Sequence, residues 1–595
     1  MKSSTPLPFI YMPALILMAQ WTHAIETTFS GDPLATSQFP RISWNTPSGW
    51  SHGVPDVEDD VIIPTHRNGA GQIISGYGPT TDSPVTINDL TMEEFTNIDL
   101  GFRSNFFVSG TTSMLGASLV NSESECRLGT LTQYDPNTNT LNYGPNFVVN
   151  VQFGLPAGAI LEFNNADVVT NNATLQFLGQ NIRFRDQLTG LNALQNFADN
   201  QGDLFFDDGF TLNTASNFSN SGRIYLNYRR SLSGPNVPGN GLAPEMHIAG
   251  NFVNNGSVEI YAKSVFTVSG NLTGSGNIKI FGFPFVCDVG GIWNQTGGSV
   301  NLGDGLLDSF WLKAVALDAN GGALVKGSGT IKAHTTITSG TLAPGASPGT
   351  VNIEGNLVLT AGSTLAVEIA GTVHDKVIQK LGVLPTTGTT LGGLLTLSTI
   401  DDFDDEVLHT STYEILTASA PLTGSFSNIA SGGRLNTTSG KGSFRVHYGP
   451  GSATPGKVIL SDYIAVNTPQ TYAQWIVEQA VAAPDNDPLD DPNQDGISNL
   501  EAYSRGMSAG GSGRRVGIKV IANPNGFIEA TLSVPRTVTG INLNARTMSG
   551  FSFNNSPTIV SLPLNGTTPT RNLYTVFLPL ASPRQFVRFG IELDP

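Results

Sequence analysis

The sequence predicts an all-β protein: a right-handed parallel β-helix, then a short helix and calcium-loop connector, then a small C-terminal β-sandwich. Three observations lead there. Of 595 residues only 13% are charged while 67 are glycine, a balance of many turn formers and few charges, set against about 25% charged in ordinary globular chains. Apolar-polar-apolar triplets recur from about residue 55 to 430. Glycines stand just ahead of many of these triplets, as corners require.

Residues 1–24 read as a secretory signal peptide: Lys2, an apolar stretch from Phe9 to Ala19, and Thr22-His23-Ala24 before the cut. That stretch is shorter than the ~20 residues a membrane span needs, and nothing later reaches that length. The expected location is therefore secreted, extracellular or cell-surface. A formal net charge of −17 argues against nucleic acid, which demands clustered Lys and Arg. Two cysteines, Cys126 and Cys287, are too few for a stapled scaffold. One disulfide and two separate buried thiols remain open.

Residues 25–64 form a cap segment. Trp44 and Trp50 with Pro55 and Pro64 shield the exposed first edge of a solenoid from pairing with other molecules. From 65 to 430 the triplets take over: Val85-Thr86-Ile87, Ile224-Tyr225-Leu226, Val258-Glu259-Ile260, Ile278-Lys279-Ile280, Val300-Asn301-Leu302. Alternation sends two side chains of each inward and one outward. Strands this short need stacked neighbours. Gly222, Gly256, Gly276, Gly298 and Gly329 each precede a triplet, at intervals of 34, 20, 22 and 31 residues, and the expected reason is positive φ at a corner. Spacing near 20–25 residues suits stacked coils; a row of antiparallel sandwiches is the competing architecture.

Gly340-Thr341-Leu342-Ala343-Pro344-Gly345-Ala346-Ser347-Pro348-Gly349, followed by Gly355-Asn356-Leu357, Gly362-Ser363-Thr364-Leu365, Asp375 and Gly392-Gly393, resembles the β-helical passenger regions of bacterial autotransporters, which carry a GTLAPG-SPG turn before their last coils. The resemblance covers about 200–430. It implies a β-helix displayed outside the cell with an adhesive or structural role. No terminal translocating barrel is recognisable after 430, so self-secretion does not follow from it.

Residues 431–467 are expected as terminal coils or linker, and 468–506 as a helix, a calcium loop and a second helix. Thr468 and Pro469 would start the first helix, with Tyr472, Trp475, Ile476 and Ala480 on one face. Asp491, Asn493 and Asp495 stand at alternate positions before Gly496, the first half of an EF-hand-type loop. Ile497 would lend its carbonyl and Asn499 a further oxygen, so Ca2+ is the expected ion. Position 12 is Ala502, with Glu501 one residue early, which predicts a weaker site or a ligand borrowed from Asp485 or Asp487. The stretch is similar to dockerin-like and thrombospondin-type-3-like loops. Residues 506–515, with Gly506, Gly510, Gly511 and Gly513, read as a flexible hinge, and 515–595 as a β module.

No catalytic residue is assigned. Gly345-Ala346-Ser347-Pro348-Gly349 has the outline of a nucleophile elbow, but Pro348 has no N–H to donate to an oxyanion. Acid clusters at 401–406 and at Asp207-Asp208 keep a polysaccharide lyase or glycoside hydrolase as the alternative, because such enzymes pair two carboxylates. The preferred reading is a non-catalytic surface protein whose partner is an extracellular glycan or a matrix component. Nothing in the sequence points to an oligomer.

Overall fold

The computed structural model describes residues 25–30, 41–67, 78–81, 83–100, 104–122, 124–150, 158–228, 242–281, 286–304, 311–345, 348–381, 388–400, 407, 409–466, 470–479, 481, 483–494, 496–507, 509, 518–523, 527–549, 558–562, 564–567, 571–579 and 585–594. The signal segment 1–24 and the 401–406 acid cluster lie outside them. Two compact units divide the chain, one of 1–214 with 238–242 and one of 215–237 with 243–595.

The first unit is a three-faced parallel β-helix. One face stacks Val85–Ile87, Phe106–Val108, Glu125–Arg127, Ile160–Phe163 and Arg183–Asp186. A second stacks Glu26–Thr28, Asp60–Ile63, Leu90–Met92, Thr111–Met114 and Thr130–Leu131. A third runs through Asn97–Leu100, Ser118–Ser122, Asn146–Asn150, Thr174–Leu178 and Asp203–Asp207, each pair parallel. Val85 pairs with Phe106, one coil and 21 residues later. Glu26–Thr28 already pairs parallel with Asp60–Ile63, so the expected cap segment is itself coiled. Trp44 and Trp50 are buried, their rings 4.7 Å apart, with Phe29 and Phe106 against them.

In the second unit the triplets stack as the alternation demands. Ile224 pairs with Val258, Val258 with Ile278 and Ile278 with Val300, and all four are fully buried. Each contributes about 1.5–3 kcal/mol of burial, and only its neighbours above and below supply the cover. Buried amides tie the turns together: Asn220 Nδ2 donates to Asn254 Oδ1 at 2.8 Å, and Gln295 Nε2 to the Gly276 carbonyl at 2.6 Å. An exposed row repeats the device, Asn217, Asn251 and Asn271 each accepting from a backbone N–H of the next coil at 2.8 Å.

The glycine corners have a different cause from the one expected. Of these positions only Gly298 has positive φ, at 57°. Gly256 and Gly276 are required because a Cβ would lie 2.0 Å and 2.3 Å from carbonyls of the coil beneath; close backbone approach is the constraint. Gly329 marks no corner, being inside the long strand Leu324–Ile337. Asp375 accepts from the N–H groups of Gly349 and Glu368, both at 2.8 Å. Burial nevertheless pushes the Asp375 carboxyl up to about 6, those two donors opposing the rise.

Residues 431–467 hold antiparallel strands. Arg434–Asn436, Gly442–Tyr448 and Lys457–Ala465 pair in sequence, and the last also pairs antiparallel with Tyr413–Thr417. The parallel stack thus ends on a hairpin. Glu414 pins this junction, accepting from Lys376 at 2.8 Å and from Lys457 and Thr417. Burial would raise its pKa, but these donors overcome it and bring the carboxyl down to about 2. A depressed carboxylate stabilises the fold above its unfolded value near 4.5 and loses that contribution as pH falls toward 2. Glu414→Gln is therefore expected to cost about 1–2 kcal/mol at pH 7, reduced for its partial exposure. Its melting temperature should converge on the parent's only as pH falls through about 2, as calorimetry across pH would show.

Beyond 470 two short helices precede two antiparallel sheets. One sheet orders Ile518–Asn523, Phe527–Pro535, Arg571–Pro579 and Leu564–Thr567; the other orders Thr558–Ser561, Ile541–Ser549 and Gln585–Leu593. Ala530, Leu532, Val534, Val576 and Ala545 share a core between them, which makes a sandwich. Cys126 and Cys287 are buried free thiols. Burial pushes both up, Cys287 to about 12, with Asp288 adding to it, and Glu162 adding at Cys126. They are packing residues without reactive character.

Candidate functional site

The acidic loop lies between helices Tyr472–Glu478 and Asn499–Arg505. Thr471 caps the first helix in a reciprocal box with Gln474; the expected starters Thr468 and Pro469, and Ala480, lie outside the described residues. Ser498 caps the second helix, and Gly506 closes it at φ 74°. Gly506 is thus a helix terminator and not the start of a hinge; Gly510, Gly511 and Gly513 are outside the described residues.

Between the helices the backbone curls. Asp491 Oδ2 accepts from the Gly496 N–H at 2.7 Å, and the Gln494 N–H reaches the Asp491 carbonyl at 3.2 Å. Gln494 and Gly496 take left-handed φ of 56° and 84°. First and sixth positions of the motif are thereby closed on each other. Asn493 belongs to this curl and Asp495 falls outside the described residues. The side chain of Ile497 is buried with Tyr472, Trp475, Leu500 and Tyr503.

Asn499 does more than expected of it. It is buried, and its Nδ2 donates to the carbonyls of Asp485 at 2.9 Å and Asp487 at 3.0 Å. The Tyr472 hydroxyl donates to the intervening Asn486 carbonyl at 3.0 Å. Burial, then the charges of Asp487 and Asp490, push that phenol up to about 12, so it stays a donor. Asn499 Oδ1 is buried without a hydrogen-bond partner. An orphaned amide oxygen in an oxygen-rich loop fits a hard cation's preference. Among the described residues no three acidic, His or Cys side chains converge. Coordination would therefore draw on Asp491, Asn493 and backbone carbonyls together with Asp495.

The coils also bring carboxylates together on an outer face of the first unit. Arg127 reaches Glu125 at 2.6 Å and Glu162 at 3.2 Å, and Arg185 also pairs with Glu162. The Phe107 ring lies under the Arg127 guanidinium at 4.9 Å. Both Glu162 oxygens and Glu125 Oε1 are taken by guanidinium groups, and one face of Phe107 is covered. Of the acids singled out earlier, Asp207 is buried at a strand end and Asp208 turns a corner at φ 51°. In the second unit Tyr261 and Phe281 stack on each other at 5.0 Å.

One corner of the first unit carries exposed apolar side chains on three successive coils. Phe95, Leu115 and Tyr143 precede the in-register strands Asn97–Leu100, Ser118–Ser122 and Asn146–Asn150. They are 45%, 52% and 84% exposed. The Phe95 N–H bonds the Gly116 carbonyl at 3.1 Å, so the corners stack. Phe95 has φ 63°, a conformation costly for a bulky residue and natural to glycine. Sequence reasoning passed over these three residues. The available signal was a large apolar residue two or three positions ahead of a strand, where neighbouring coils carry Gly or Asn.

No protein-family model and no curated protein matches the chain. Among solved structures, the Haemophilus influenzae Hap adhesin matches at 11% identity over 68% of this chain, with a TM-score of 0.18. The chain spans 63% of that protein. The fold assignment rests on the parallel sheets themselves. Among the described residues no helix is long and apolar enough to cross a membrane.

Proposed function

We propose that this is an exported structural and adhesive protein, secreted or held at the cell surface, with a tail that takes calcium. The observation that carries the adhesive reading is the Phe95–Leu115–Tyr143 corner. A β-helix satisfies its outward polar groups by pairing them along the stack, so three exposed apolar side chains on stacked corners form a contact surface with no structural need of their own. A left-handed phenylalanine there is strain retained where glycine would relieve it. A glycan or matrix component of the cell surface is the partner class. Immobilised protein tested against cells, glycans and its own copies should bind at least one; binding to none rejects the reading.

Calcium in the tail is supported by the Asp491–Gly496 hydrogen bond and by the orphaned Asn499 oxygen. Asp491, Asn493, Asp495, Ile497 and Asn499 are the proposed ligands. At about 100 times its dissociation constant an ion adds about 2.7 kcal/mol, a rise of roughly 5–15 °C in the tail's melting. Calorimetry with calcium and with chelator checks this. The double variant Asp491→Ala, Asp495→Ala should lose the shift, and a parent indifferent to chelator would remove calcium from the account.

A further inference from the structure

The helix Asn499–Arg505 is fastened at both ends. Its first residue, Asn499, holds the acidic loop through the Asp485 and Asp487 carbonyls. Tyr503, four residues on and therefore on the same face, is 1% exposed. Its hydroxyl lies between the Gln470 and Thr539 carbonyls and accepts the Thr539 N–H at 3.0 Å. There Gln470–Thr471 pairs parallel with Val538–Thr539, and Thr539 Oγ1 donates to the Gln470 carbonyl at 2.9 Å. Arg571 of the sandwich donates to the Arg505 carbonyl at 3.2 Å, where a helix end leaves acceptors open. Met507, Val538, Ile541, Ile591 and Leu593 complete one apolar cluster with the helix pair.

We infer that cation binding in the loop and docking of the terminal sandwich on the helix pair are a single coupled equilibrium, carried by Asn499 and Tyr503 on one face of this helix. The inference rests on the calcium reading above and goes beyond it by naming what the ion controls. The cation holds the loop in the geometry that Asn499 grips. A seven-residue helix gripped at its first turn presents Tyr503 to the sandwich in one orientation. Sandwich docking then tightens cation binding by the factor with which the cation tightens docking, since linkage is reciprocal.

The test uses the full chain with calcium or chelator, following amide exchange by mass spectrometry and affinity by terbium luminescence with calcium competition. Calcium should slow exchange across 538–549, far from the loop in sequence, by about fivefold or more. Tyr503→Phe keeps the ring and removes the hydroxyl. It should bind calcium about fivefold more weakly and lose the protection at 538–549. Should that variant fail to fold, Thr539→Val, which removes one hydroxyl bond to the Gln470 carbonyl, should show the same loss in milder form. Calcium bound by the parent with exchange at 538–549 unchanged overturns the coupling and leaves the loop site standing. A parent that binds no calcium overturns both.

Discussion

Gly298→Val is expected to destabilise the second unit by about 3 kcal/mol or more. Gly298 sits at φ 57°, where an L side chain costs about 1–2 kcal/mol before it touches anything. Its Cβ would then lie 2.3 Å from the Ser275 carbonyl oxygen and 2.4 Å from that of Gly276. Both are backbone atoms of the coil beneath, which cannot step aside as a flexible side chain would. Relief requires the coil to lift off the one beneath, disturbing the Asn277–Ser299 and Ile278–Val300 pairs. Gly322 provides the control: its φ is 81°, and a Cβ there meets nothing within 4 Å. Gly322→Ala should cost about 1–2 kcal/mol, from conformation alone. Urea titrations of the two variants separate strain from collision, and equal losses would show that the coils are not packed as described.

The combined variant Phe95→Gly, Leu115→Ser, Tyr143→Ser is expected to lower adhesion about tenfold or more, since apolar anchors carry most of a contact's free energy. Its folded stability should be unchanged or higher. Leu115 and Tyr143 face solvent, so truncation opens no cavity. Glycine at 95 relieves the left-handed backbone, which offsets the entropy that a glycine adds to the unfolded chain. Core substitutions that damage adhesion do so by lowering stability, so opposite movement of the two quantities is diagnostic of a contact surface. Thermal melting and a surface-binding measurement on the same preparation decide it. Full adhesion by the variant would move the contact surface elsewhere.

Much of the fold was legible because period-two alternation is a local property. Ile224, Leu226, Val258 and Ile260 could be assigned inward from their spacing, and all are buried. The first helix was visible in Tyr472, Trp475 and Ile476, which do pack together with Ile497 and Tyr503. Its cap was misplaced by three residues, because Thr468 and Thr471 present the same hydroxyl. Only the reciprocal bonds with Gln474 identify Thr471.

By itself, then, the sequence determined that this chain is β-rich, coiled and corner-bound, because alternation and glycine act between residues a few positions apart. Which coil lies against which was a tertiary matter, and with it why Gly256 admits no Cβ, where Asn499 sends its amide, and why Phe95, Leu115 and Tyr143 stand on one edge. The Asn499 amide reaches back 14 and 12 positions within the loop, and the other two relations join residues 20 or more positions apart. Backbone stacking creates them, and no local pattern encodes the register that brings them together.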